Sequence, residues 1–180
     1  VFIADEVQPG FARTGQAFFG FARHGIVPDM ITMGKPMGNG IPISGLAAKE
    51  DVLAAFSDKL PYFNTFGGNP VSIAAAQAVL KYIKDENLQE HCKKAGAALL
   101  KALKEVQERH PESVGDVRGA GLFLGFEFVK NDGNKTPDKD MALNVIEMLR
   151  DEHILTSVIG HYGNILKLRP PMVFSENDID

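Results

Sequence analysis

The chain has 180 residues, with 19 lysines and arginines against 23 acids and a formal net charge of −4, so it lacks the basic excess that a nucleic-acid partner selects. Its single cysteine, Cys92, can form no internal disulfide and fits a reducing, cytoplasmic compartment. No apolar run approaches the ~18 residues of a membrane span and no signal peptide opens the chain, so no membrane partner is expected, and the length suits one domain or a domain and a part.

Val1-Phe2-Ile3-Ala4 is a β-branched, apolar run that stops at Asp5-Glu6, as a buried parallel strand stops where it reaches solvent. Because the chain starts inside this strand without an initiator Met, a fragment with further sequence at both ends is expected. Gly10, Gly15, Gly20 and Gly25 punctuate the next stretch. After Pro28-Asp29 a second strand is expected as Met30-Ile31-Thr32-Met33, with Lys35 leaving its carboxyl end. A further strand is expected over 41–48 and a short helix over 49–56. Pro70 stands in the first turn of an alanine-rich helix that runs to Lys84. Leu88, Cys92, Ala95, Leu99, Leu103 and Val106 recur at helical spacing within 86–109. Val117, Leu122, Leu124, Phe126 and Phe128 alternate in part with Gly and Glu, which predicts a strand or hairpin in a second, smaller domain. A polar loop over 131–138 and a helix over 140–150 follow. Short strands are expected at His153-Ile154-Leu155 and Ile165-Leu166-Lys167-Leu168, on either side of a turn at Gly160-His161-Tyr162-Gly163. Asp180 falls in what reads as the first turn of a helix after Ser175. There is no internal repeat, and no His or Cys cluster has metal-ligand spacing.

Asp5 and Lys35 draw attention because both are delivered to the carboxyl ends of parallel strands, where open α/β sheets bind ligands. Pyridoxal 5'-phosphate is held as a Schiff base on a lysine, and its ring withdraws electrons only while a carboxylate keeps the pyridine nitrogen protonated. Lys35 suits the first task and Asp5 the second. Taken without their surroundings, the two are more simply a solvated loop lysine and a turn residue.

The surroundings resolve that choice. Ile3-Ala4-Asp5-Glu6-Val7-Gln8, Phe11-Ala12-Arg13-Thr14-Gly15 and Pro28-Asp29-Met30-Ile31-Thr32-Met33-Gly34-Lys35 occur in this order, followed by Asn64-Thr65-Phe66-Gly67-Gly68-Asn69-Pro70, Gly115-Asp116-Val117-Arg118-Gly119 and Leu168-Arg169-Pro170-Pro171. Together they closely resemble the class III aminotransferases over essentially the whole chain. The loop Gly34-Lys35-Pro36-Met37-Gly38-Asn39-Gly40 looks most like the branch that holds alanine-glyoxylate aminotransferase and ethanolamine-phosphate phospho-lyase.

The resemblance implies a fold type I, α/β pyridoxal-phosphate transferase. Residues 1–69 would form the second half of its large, mostly parallel sheet domain and residues 70–180 most of the small C-terminal α+β domain. It makes Lys35 the Schiff-base lysine and proton shuttle and Asp5 the pyridinium partner. Val7 would pack on one ring face, and Gln8 would bond the phenolic oxygen. Thr65 would reach across a homodimer interface to the partner's cofactor phosphate, so that the active site is shared. In an extended segment Asp5 and Val7 share a side while Glu6 points away, which marks Glu6 as structural.

The chain departs from the family pattern at Pro9 and Ala12, where Thr and Gly are usual, and at Lys167, where many members place a carboxylate-binding arginine. Lys167 and Arg169 share a strand face and are the expected substrate-binding pair, or else solvated edge charges. A lysine there weakens the case for an ordinary α-amino acid. The expected reaction is amino transfer from an amine or amino acid to a 2-oxo acid. The alternatives are a phospho-lyase acting on a phosphorylated amine, and a catalytically incomplete piece that serves only for dimerisation. His161, in its loop, is more simply exposed than catalytic. The resemblance also implies that a glycine-and-serine phosphate cup and the aromatic ring on the other face of the cofactor come from sequence before Val1, so the 180 residues alone are expected to be inactive.

Overall fold

The computed structural model describes residues 1–179 and divides into two compact units, Val1–Glu90 and His91–Asp180. The first unit holds a three-stranded sheet of β1 (Ile3–Asp5), β2 (Met30–Met33) and β3 (Gly45–Ala48) in that order. β1 and β2 run parallel, with Ile3 opposite Met30 and Asp5 opposite Thr32. β3 returns antiparallel to β2 and is half the expected length. Residues 41–44 do not pair: Gly40 turns the chain at φ +101° and Pro42 has no N–H to offer a ladder.

Two helices follow, α1 (Glu50–Ser57) and α2 (Pro70–Asp85). The Asn69 side chain accepts hydrogen bonds from the amides of Val71 and Ser72, and Pro70 sits where no helical donor is needed, so the start of α2 is doubly specified. Asn87 takes a left-handed conformation at φ +47° just after α2, which is why the next helix begins at Leu88 and not at residue 86.

That helix is α3 (Leu88–Arg109). The second unit continues with β4 (Val114–Ala120), β5 (Phe123–Phe128), α4 (Lys139–Asp151), β6 (Val158–Ile159) and β7 (Ile165–Leu168). The strands form one antiparallel sheet in the order β4-β5-β7-β6. Leu124, Phe126 and Phe128 alternate inward along β5 as the sequence pattern predicts. Phe126 and Phe128 meet Val114, Val117, Ala142 and Leu166 in the main core, which Val145, Ile146 and Leu149 of α4 cover. A second cluster joins Cys92, Ala95 and Leu122 to Met172 and Phe174.

The strand expected at His153-Ile154-Leu155 does not form. His153 takes φ +64°, its amide donates to the Arg150 carbonyl, and the Ile154 amide reaches back to the Leu149 carbonyl. The amides of His153 and Ile154 thus close α4 and are not free to donate to a ladder. The pairing strand lies further on, at β6. The expected helix start after Ser175 is a single turn, Glu176–Asp178, closed by reciprocal bonds between Ser175 and Asp178. Asp180 lies outside the described residues.

Candidate active site

The first unit builds its site from the end of β1. Burial alternates from exposed Ile3 through buried Ala4 and exposed Asp5 to Glu6, which is 2% exposed. Glu6 is structural, as its orientation predicts. Its carboxylate accepts the backbone amides of Gly20 and Phe21 at 2.7 and 2.8 Å, and its own amide donates to the Thr32 carbonyl. Three bonds therefore tie the residue after Asp5 to both the connecting loop and β2.

Several departures from ordinary backbone shape that loop. Gly10 donates to the Glu6 carbonyl, and a Cβ there would lie 2.6 Å from that oxygen. Phe11 and Ala12 are left-handed, at φ +58° and +68°. The usual family glycine at position 12 thus matches a conformation that alanine adopts only under strain. Ala12 is held there by its bond to the Phe18 carbonyl and by the packing of Phe11 on Phe18 and Phe19. Pro9, the other departure, lies against Gly20, leaving no room for a Cβ.

Asp5 is exposed, and one of its oxygens is fully engaged. Oδ1 accepts the Val7 amide at 3.1 Å and the Thr32 hydroxyl at 3.2 Å. Thr32 is a site residue that the sequence reading missed, since a threonine within a strand is an ordinary β-former until the register places it opposite Asp5. Three residues later Lys35 leaves β2, exposed and at φ +36° in front of Pro36. A left-handed lysine before proline is unusual on two counts and costs on the order of 1–3 kcal/mol.

Val7 and Thr32 help to line a cleft of about 700 Å³, together with Met33, Ser44, Tyr62, Asn64 and Gly67-Gly68. That volume lies within the range of small-molecule sites. Asp5, Gln8 and Lys35 are not among its walls, although Asp5 is bonded to two residues that are. Gln8 is half-buried next to Val7. Thr65 is exposed within a turn in which the Asn64 side chain accepts the amides of Phe66 and Gly67. The structure thus brings Asp5, Val7 and Thr32 together directly.

Lys167 and Arg169 belong to the second unit, where both line a cleft of about 600 Å³ with Leu155, Thr156, Ser157 and Phe174 among its walls. The backbone of Lys167 is held at both ends, its amide by the Ser157 carbonyl and its carbonyl by the Thr156 hydroxyl. His161 is exposed in its turn. Among the described residues no group of three His, Cys, Asp or Glu could hold a metal ion, and no helix is long and apolar enough to cross a membrane.

The family model described as aminotransferase class-III matches residues 1–180. Ethanolamine-phosphate phospho-lyase homolog 1 of Caenorhabditis elegans is 45% identical over 180 residues, which cover 98% of this chain and 38% of that protein. The mitochondrial alanine–glyoxylate aminotransferase 2 homolog 2 of Arabidopsis thaliana is 42% identical, over 100% of this chain and 37% of its own length. Among solved structures, a phospholyase from Arthrobacter in complex with phosphoethanolamine superposes with a TM-score of 0.93 at 41% identity, covering 98% of this chain and 42% of that one. The chain therefore spans about two fifths of the proteins it matches.

Proposed function

Since the chain belongs to the class III aminotransferases, we propose that it carries the lysine and the ring-partner carboxylate of a pyridoxal-phosphate enzyme that moves an amino group from an amine or amino acid to a 2-oxo acid. Its α/β fold is the fold type I expected from the resemblance. The observation that carries the proposal is the carboxylate of Asp5. Two donors converge on Oδ1 and Oδ2 has no hydrogen-bond partner among the described residues, at the carboxyl end of a parallel strand pair in which Asp5 stands opposite Thr32, three residues before Lys35. An unpartnered carboxylate oxygen is an acceptor that fits the N–H of a protonated pyridine nitrogen.

When bound, pyridoxal phosphate supplies an electron sink for the bond being broken at the substrate carbon. The chain's own residues do the rest. Lys35 Nζ would hold the cofactor covalently and, when free, would accept the proton from the substrate carbon. Asp5 keeps the ring nitrogen in its charged form. Val7 would pack on one ring face, Gln8 would bond the phenolic oxygen, and Thr65 would serve the cofactor phosphate of a second subunit in a homodimer. Lys167 and Arg169 receive a substrate anion. The proposed compartment is the cytoplasm, although the Arabidopsis protein is described as mitochondrial.

A second reading, phospho-lyase action on a phosphorylated amine, is favoured by the C. elegans and Arthrobacter proteins and by the two cations at Lys167 and Arg169. One set of experiments addresses both. Borohydride reduction of the full-length protein loaded with pyridoxal phosphate, followed by peptide mapping, should place the label on Lys35; a label on Lys49 or Lys59 would refute the site. Consumption of a 2-oxo acid marks the transferase, whereas phosphate release from ethanolamine phosphate without a 2-oxo acid marks the lyase.

A further inference from the structure

We propose that Thr32 is a positioning residue that selects which oxygen of Asp5 meets the cofactor ring, an inference that rests on the proposed role of Asp5. The terminal torsion of an aspartate is broad and nearly two-fold, so a carboxylate with no partners presents either oxygen to a ligand. Here the Thr32 hydroxyl and the Val7 amide both donate to Oδ1, at 3.2 and 3.1 Å. Oδ2 is left as the oxygen with no hydrogen-bond partner among the described residues. The Val7 donation comes from the main chain and survives any substitution there except proline. Thr32 is the contribution made by a side chain.

Two features show that its hydroxyl is placed, not incidental. The Thr32 backbone is pinned on the Asp5 side by its register position opposite Asp5 and by the Glu6 amide, which donates to its carbonyl at 3.0 Å. Its Oγ1 therefore reaches Asp5 from a fixed point and does so with a stiff, β-branched side chain. The strand Met30-Ile31-Thr32-Met33 is otherwise apolar, and valine would satisfy its packing and its β-propensity equally well. What valine lacks is the donor. Because hydrogen bonds to charged groups are the stronger class, losing this one should loosen the aspartate measurably.

The test compares Thr32→Val, Thr32→Ser and Asp5→Ala in the full-length protein loaded with pyridoxal phosphate. Thr32→Val should speed cofactor release on dilution about tenfold. It should also raise the pH midpoint of the bound cofactor's absorbance, because a ring nitrogen held less firmly in its charged form opposes protonation near Lys35 less. Thermal stability should barely move, and Thr32→Ser should restore both readouts. In the Asp5→Ala background Thr32→Val should add nothing, since the acceptor is already gone. Unaltered release and midpoint in Thr32→Val, or an effect that persists in full without Asp5, would overturn the positioning role alone. Release and midpoint unchanged by Asp5→Ala would instead overturn the reading of Asp5, and this inference with it.

Discussion

Gly96 of α3 and Gly121 of the β4–β5 turn meet backbone to backbone: a Cβ on Gly96 would stand 2.2 Å from the carbonyl carbon and oxygen of Gly121. No flexible side chain is there to yield. In an exposed helix, replacing glycine with alanine is worth ~1 kcal/mol in favour of the fold. At this position the sign should reverse, and Gly96→Ala should destabilise the protein by about 2 kcal/mol or more. Denaturant unfolding monitored by circular dichroism provides the measurement. A more stable variant would mean that the helix and turn are not in contact.

Glu6 is the second position where stability should respond sharply. Its two oxygens each accept a backbone amide, while a glutamine would offer one acceptor and turn its NH₂ toward the other donor. Glu6→Gln should therefore cost about 2 kcal/mol in the same assay. Equal stability of the two proteins would show that the amides of Gly20 and Phe21 find other partners.

The pH dependence of stability should carry a contribution from Asp29. Its carboxylate accepts from Lys49 Nζ and from the Phe2 amide, each at 2.7 Å, and these bonds lower its pKa below 3.8, the Lys49 bond most. A carboxyl depressed in the folded state stabilises the fold above its unfolded pKa, and that contribution disappears as pH falls through the folded value. The same pair raises the pKa of Lys49 above 10.5, so its share is present below that value and fades as pH climbs past the folded one. Asp29→Asn should flatten the loss of stability below pH ~4 relative to the unaltered protein. The difference should shrink in high salt, because the pair is exposed. Identical acid limbs for the two proteins would contradict this assignment.

Substrate recognition is the fourth expectation. If Lys167 and Arg169 receive a substrate anion, replacing both with alanine in the full-length protein should raise KM at least ~tenfold while cofactor attachment to Lys35 is retained. Steady-state kinetics over ω-amines, α-amino acids and phosphorylated amines would measure it. A KM unchanged for every accepted substrate would reduce the two to solvated charges.

Much of this architecture is legible in the sequence, because it depends on local signals. Alternation marks β5, helical spacing marks α3, and Pro70 marks the first turn of α2. The misreadings arise where backbone groups are claimed from elsewhere. His153 and Ile154 look like strand residues but are used to close α4, and residues 41–44 resemble the strand that follows them but make no ladder bonds. The site divides along the same line. Asp5 and Lys35 can be read from the ends of their strands. Thr32 and the Gly20 and Phe21 amides become visible only through pairing across 27, 14 and 15 positions.

The crossover between β1 and β2 also has a kinetic meaning. Parallel strands cannot be closed by a hairpin, and this connection includes only a five-residue 3₁₀ helix, Gly20–His24, among its turns. Little local structure therefore exists to bring Asp5 to Thr32 early. The loop's closure entropy must be met before any contact in the strand pair rewards it, so the carboxylate acquires its orientation late in folding and together with the sheet. A denaturing fluctuation that opens β1 from β2 would erase the site in the same step, and slow-exchanging amides along β2 would report how rarely that happens.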